Sequence, residues 1–267
     1  MKPTRAALVL QHSPPGEARA NLDTCIRLAT RAATLGADLV LFPELNITGY
    51  CTNTTIASFA EPLPCPITDS LLLTATRHNI TILAGLVEKK NSNTVFATHV
   101  AAMNDGSLGR YRKLHLAPQE KVIFTQGTAI ETFQTNGFNF GIQMCYDAHF
   151  PELSTQMALQ GAEILFIPHA SPRGTPKEKF DSWMRHLRAR AFDNGLFVLA
   201  CNQVGTHRSG LDFPGVAVGI GPDGKVIDTL LCSHEEMLIL DLDSDLLERV
   251  RNHRMRYFLP NRRDDLY

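Results

Sequence analysis

The 267 residues contain no apolar run approaching the roughly 20 needed to cross a bilayer. No basic block stands out and the formal net charge is −1, so neither nucleic acid nor a membrane surface is expected as a partner. The six cysteines make no CxxC pair and none sits at finger-like spacing to histidines, which argues against a structural zinc site. The patterns GxSxG, GxxxxGK[ST] and HExxH are absent, removing common serine-hydrolase, nucleotide and metalloprotease readings. The N-terminal MKPTRAALVLQHSPPGE reads as a first strand, without the longer apolar core and cleavage site of a signal peptide. A cytoplasmic location is therefore expected, with the cysteines as free thiols and the sequons at Asn46, Asn53 and Asn79 as chance matches. No linker, repeat or composition shift divides the chain, so residues 1–267 are read as one domain.

What is present is a mixture of short apolar runs and helical periodicity. Strands are expected at 6–10, 38–42, 80–87, 94–103, 138–144, 164–168, 196–202, 216–220, 225–230 and 237–242. Helices are expected at 18–35, 70–78, 150–160, as one continuous segment at 177–193, and from Asp245. Turn strings such as Asn104-Asp105-Gly106-Ser107 and Gly221-Pro222-Asp223-Gly224 make several neighbouring strands hairpins. Hairpins mixed with strand–helix–strand units fit an α/β fold of two sheets packed face to face, with helices outside, better than a doubly wound parallel sheet. The expectation is a four-layer α-β-β-α sandwich.

Three polar residues stand at or just past the ends of apolar segments: Glu44 in LVLFPELNITGY, Lys113 in GRYRKLHLAP and Cys145 in FGIQMCYDAHFPE. Singly, each has an ordinary explanation: a solvated carboxylate, a surface charge and a packed thiol. Together they supply complementary chemistry. A thiol needs a base or a lowered pKa to attack, and Pro151 marks a helix N-terminus after Cys145 whose partial charge would favour thiolate. A carboxylate in a dry pocket can take the thiol proton and return it to a leaving amine. A lysine keeps that carboxylate from being an unpaired charge and can stabilise a tetrahedral oxyanion, with the Tyr146 N–H as a second donor.

In that chain order FPE, YRK and CYD…FPE closely resemble the nitrilase superfamily of carbon–nitrogen hydrolases, and the similarity runs nearly end to end. ARAFDNGLFVLACNQVG and the closing RRDDLY, with Asp264 where relatives have proline, belong to it. The resemblance implies the four-layer sandwich and a catalytic set of Glu44 as base and acid, Lys113 as cation and Cys145 as nucleophile. Glu120, in QEKVIFTQG, matches a second glutamate that orients substrate and lysine. Two carboxylates around one lysine leave a net negative pocket that restrains full ionisation of Cys145. No cofactor or metal is implied, and a homodimer or larger assembly is.

His149 is the tempting local partner for Cys145, but no Asn or Asp at a recognisable spacing supports it, and it reads as pocket wall or subunit contact. Tyr50, Tyr146 and His169 are candidate pocket residues, and Arg173 could grip a substrate carboxylate or simply be a loop cation. The Cys-Tyr-Asp context is closer to amidases and N-carbamoyl amidohydrolases than to nitrilases with Cys-Trp-Glu. The expected activity is hydrolysis of a small amide or N-carbamoyl compound. A nitrile substrate, an acyl-transfer enzyme and a non-catalytic small-amide or partner-binding scaffold are the alternatives.

Overall fold

The computed structural model describes residues 1–135, 137–208 and 210–266; Tyr267 of the closing RRDDLY segment lies outside them. The chain opens with β1 (Thr4–Leu10), α1 (Ala18–Thr34), β2 (Leu39–Leu41), α2 (Pro66–His78), β3 (Thr81–Asn91), β4 (Thr94–Ala102) and β5 (Leu108–Arg112). Its second half runs β6 (Thr132–Gln134), β7 (Asn139–Ile142), α3 (Pro151–Leu159), β8 (Ile164–His169), α4 (Pro176–Met184), α5 (Leu187–Asn194) and β9 (Phe197–Asn202). A small pair, β10 (Gly205–Thr206) and β11 (Asp212–Phe213), precedes β12 (Gly215–Ile220), β13 (Val226–Cys232), β14 (Glu236–Leu242) and α6 (Ser244–Arg251).

Two six-stranded sheets carry the fold, ordered β14-β1-β2-β3-β4-β5 and β13-β12-β9-β8-β7-β6. The centres are parallel, β1-β2-β3 in one and β7-β8-β9 in the other, and the flanks are antiparallel. Strand alternation explains the layers. Ala7, Val9 and Val40 pack with Leu22, Cys25, Leu28 and Leu71 of α1 and α2. Their sequence neighbours Ala6, Leu8, Leu10, Leu39 and Leu41 face the other way, into an inter-sheet core with Phe166, Leu199 and Leu240. Central strands buried on both faces are apolar throughout, which is why DLVLF and ILFIP are legible as strands. Helices α4 and α5 cover the outer face of the second sheet, completing the expected α-β-β-α order.

The long helix expected over 177–193 is two helices. His186, at φ −124° and ψ −38°, breaks it between Met184 and Leu187. No Pro or Gly lies between Lys177 and Asn194, so packing sets the break: Trp183 stacks on His169 while Leu187 and Ala191 fill the core. The expected face is otherwise right, with Phe180 and Met184 half-buried against the same core. Gly219–Gly224 spells GxGxxG, but it is the turn of an antiparallel hairpin and opens no helix, so it is no dinucleotide loop.

Candidate active site

Parallel strands align their carboxyl ends, and in open α/β sheets ligands bind beyond those ends. Glu44 follows β2, Cys145 follows β7 and His169 closes β8, so three candidates from distant sequence reach one region. Lys113 follows β5 on the antiparallel side of the first sheet.

Glu44 is held by its surroundings on every side. Leu45 turns the chain at φ +52°, and the Asn46 side chain donates to Gln11 Oε1 at 2.9 Å and accepts from Gly85 N at 2.8 Å. Gln203 Nε2 donates to the Glu44 carbonyl at 2.8 Å, Glu44 N–H to the His169 carbonyl at 3.3 Å, and Ala170 N–H to Glu44 Oε2 at 3.0 Å. Lys113 is 1% exposed and bridges two carboxylates, with Nζ 2.6 Å from Glu44 Oε1 and 2.9 Å from Glu120 Oε1. Glu120 is fixed in turn by the Tyr50 hydroxyl at 3.2 Å and Ala117 N–H at 2.8 Å.

Cys145 begins a 3₁₀ turn, Cys145–His149, with φ at +44°, a left-handed conformation that costs an L residue about 1 kcal/mol. Asp147 fastens this turn. Its fully buried carboxylate accepts from Tyr111 OH at 2.8 Å, His115 N–H at 2.8 Å and Met144 N–H at 2.9 Å. The Cys145 turn is thereby tied to β5 and the loop that carries Lys113. Cys145 is partly exposed as a residue, while its buried thiol faces the same Ala170 N–H that holds Glu44.

Burial dominates the electrostatics. It raises Glu44 from 4.5 to about 7, reinforced by Glu120 and opposed by Lys113. Burial would strip Lys113 of its proton, but Glu44 and Glu120 hold it well above its ordinary value. The Cys145 thiol is pushed up by burial and then by Glu44, against the opposing pull of Lys113. This corrects the expectation of a thiolate favoured by a helix N-terminus: α3 starts only at Pro151, beyond the 3₁₀ turn. Burial does most of the restraining of the thiol, and the two carboxylates expected to restrain it add to that against Lys113. A neutral thiol beside a carboxylate that is half-ionised at neutral pH can transfer its proton during attack.

The remaining sequence candidates divide. Tyr50 is 3% exposed and touches Glu120. The Tyr146 ring meets His149 edge-on at 5.5 Å, and exposed His149 stacks near His186 at 4.6 Å, at the far end of the turn from the thiol. His169 is 2% exposed, stacks on Trp183 at 3.9 Å and gives its carbonyl to Glu44. Arg173 is exposed, turned at φ +72°, with its N–H on the Asp212 carbonyl at 2.8 Å. Sequence reasoning missed Asp147, Tyr111, Ala170 and Gln203; only Asp147, inside the CYD string, carried a local signal. Among the described residues no group of three or more His, Cys, Asp or Glu is placed to hold a metal ion.

Residues 5–252 match the family model for carbon-nitrogen hydrolase. A Schizosaccharomyces pombe protein named a probable nitrilase is 36% identical over 236 residues, 86% of this chain and 84% of that protein. A carbon-nitrogen hydrolase of Helicobacter pylori G27 superposes with TM-score 0.89 at 28% identity, covering 99% of this chain and 97% of that one. A mutant amidase of Nesterenkonia sp. AN1, which carries acrylamide added to its active-site cysteine, superposes with TM-score 0.82 at 27% identity, covering 94% of this chain and 97% of that one.

Proposed function

The chain belongs to the carbon–nitrogen hydrolase family, and from that premise we propose that it hydrolyses a small amide or N-carbamoyl compound through a thioester on Cys145. The observation that carries this reading is the buried Lys113 bridge between Glu44 and Glu120, beside a thiol on the same Ala170 N–H as Glu44.

The Cys145 sulfur attacks the carbonyl carbon as its proton passes to Glu44. The carbonyl π electrons move to oxygen, where Lys113 and the Tyr146 N–H stabilise the charge. Glu44 then delivers the proton to nitrogen, the C–N bond breaks, and ammonia or an amine leaves. Water attacks the thioester while Glu44 accepts its proton, the C–S bond breaks, and the thiol is restored as the acid departs. A single group with a pKa of about 7 suits both directions of proton transfer.

Ammonia release from amides, carbamoyl compounds and nitriles, measured for wild type and Cys145→Ala, tests the proposal. Release from amides or carbamoyl compounds that falls about 10⁴-fold or more in the variant supports it. Release from nitriles alone favours a nitrilase, and release from none of the panel overturns the hydrolase reading.

A further inference from the structure

The loops that follow β1, β2 and β9 meet beside the carboxylate–lysine cluster, and the β10–β11 hairpin is rooted between them. Val204 N–H donates to the Gln11 carbonyl at 3.2 Å, and Gln203 Nε2 donates to the Glu44 carbonyl at 2.8 Å. The hairpin is bonded within itself, by His207 N–H to the Leu211 carbonyl at 2.8 Å and Thr206 Oγ1 to Asp212 Oδ1 at 2.7 Å. Its first residue, Gly205 at φ +88°, lies so near His12 that a Cβ there would come 2.9 Å from His12 Cδ2.

His207 has no part in the chemistry already described, yet its burial is out of the ordinary. It is 3% exposed, and both its ring nitrogens, like Nε2 of His12, have no hydrogen-bond partner among the described residues. Buried polar atoms without partners are costly and rare, and an apolar side chain would pack there without that penalty. The ring is instead held by other rings, His12 at 5.5 Å between centroids and Phe213 at 4.6 Å. Burial and then His12 hold His207 down to about 4, and the Tyr50 backbone alone opposes them, which puts that backbone beside the ring. Phe213 meets the Tyr50 ring edge-on at 6.3 Å, so Tyr50 is braced through both its backbone and its side chain.

The Tyr50 hydroxyl donates to Glu120 Oε1 at 3.2 Å, and that same oxygen accepts from Lys113 Nζ at 2.9 Å. A shift of Tyr50 therefore reaches the carboxylate that shares Lys113 with Glu44. We propose that His207 is a positioning residue: its ring, set between His12, Phe213 and Tyr50, holds the tyrosine hydroxyl on Glu120 and thereby fixes the Glu120–Lys113–Glu44 cluster. His207 acts only through Tyr50, and the hairpin that carries it serves the site without touching substrate. The inference rests on the hydrolase reading for what the cluster does in turnover. Displacing a group of such a cluster by about 1 Å can cost about a hundredfold in rate.

The test reads the cluster without substrate, from the rate at which iodoacetamide alkylates Cys145 at acid to alkaline pH, followed on the Cys145 peptide by mass spectrometry. In wild type the rate should rise through about 7, as Glu44 ionises and can accept the thiol proton. His207→Ala should displace that midpoint by about half a pH unit, roughly threefold in proton affinity, and Tyr50→Phe should displace it in the same direction. The double variant should show no further displacement, because both changes act at one contact. His207→Phe, which keeps a ring, should restore the wild-type midpoint. His207→Leu, which fills the space without a ring, repeats the measurement should the alanine variant unfold in urea too readily. A midpoint unmoved by loss of the ring in folded protein, displacements that add in the double variant, or a midpoint that His207→Phe leaves displaced overturns the proposal. Amide turnover by the same variants separates it from the hydrolase reading. Alkylation that follows His207 without turnover of any amide keeps the positioning role and sinks the hydrolase; turnover with a midpoint indifferent to His207 does the reverse.

Discussion

At the residue scale, the account turns on how burial distributes protons. Glu44 must be ionised to accept the thiol proton, so kcat/KM should rise with pH through about 7. Glu120 raises Glu44, so Glu120→Gln should move that limb to lower pH, as a pH–rate profile on a saturable amide will read. A limb that stays put would mean Glu120 does not act electrostatically on Glu44. Asp147→Ala leaves several buried donors unmet and should cost about 2–4 kcal/mol in denaturant unfolding, with activity falling as the thiol turn loosens. Legibility in the sequence followed locality. Glu44, Lys113, Glu120 and Cys145 each sit in a short recognisable string, whereas Ala170 and Gln203 act on Glu44 across 126 and 159 residues.

At the scale of elements, strands buried on both faces announced themselves by composition, and helix faces by period. The shortest elements did not. The segments Thr132–Gln134, Gly205–Thr206 and Asp212–Phe213 are too short for any periodicity, and the break at His186 has no Gly or Pro to mark it. Close approach of elements is also invisible locally. A Cβ on Gly85 in β3 would lie 2.4 Å from the backbone nitrogen of Leu45, directly after Glu44. Gly85→Ala must therefore displace the loop that aims Glu44. It should destabilise by about 1–3 kcal/mol and lower kcat more than it raises KM. Steady-state kinetics beside urea unfolding would check this; a variant with lost stability but unchanged kcat would show that Glu44's placement tolerates the shift.

At the scale of the molecule, buried carboxylates shape how stability depends on pH. Glu44 titrates near 7 when folded and at its ordinary 4.5 when unfolded, so the folded state holds more protons between those values. Its contribution to stability is present below about 4.5 and lost as pH rises through about 7. Glu88 has the opposite sign. Burial pushes it up, but Arg112, Thr98 and Arg110 together pull it below its ordinary value, so its contribution is present above 4.5 and lost as pH falls through the lower folded value. Glu44→Gln should flatten the decline in unfolding free energy between about pH 5 and 7 seen in wild type. The two-sheet architecture was legible because alternation and doubly buried strands are collective signals carried by many residues. Which strand ends meet was not, because that depends on the pairing order of the sheets.

The central claim is that Cys145 forms the covalent intermediate with Glu44 moving the protons. Intact-mass and peptide mass spectrometry of enzyme acid-quenched during turnover of an amide tests it most directly. The account predicts an acyl mass on the Cys145 peptide in wild type, discharged by hydroxylamine and absent from Cys145→Ala. Turnover by Cys145→Ala at the wild-type rate, or an acyl group on any other residue, would contradict it.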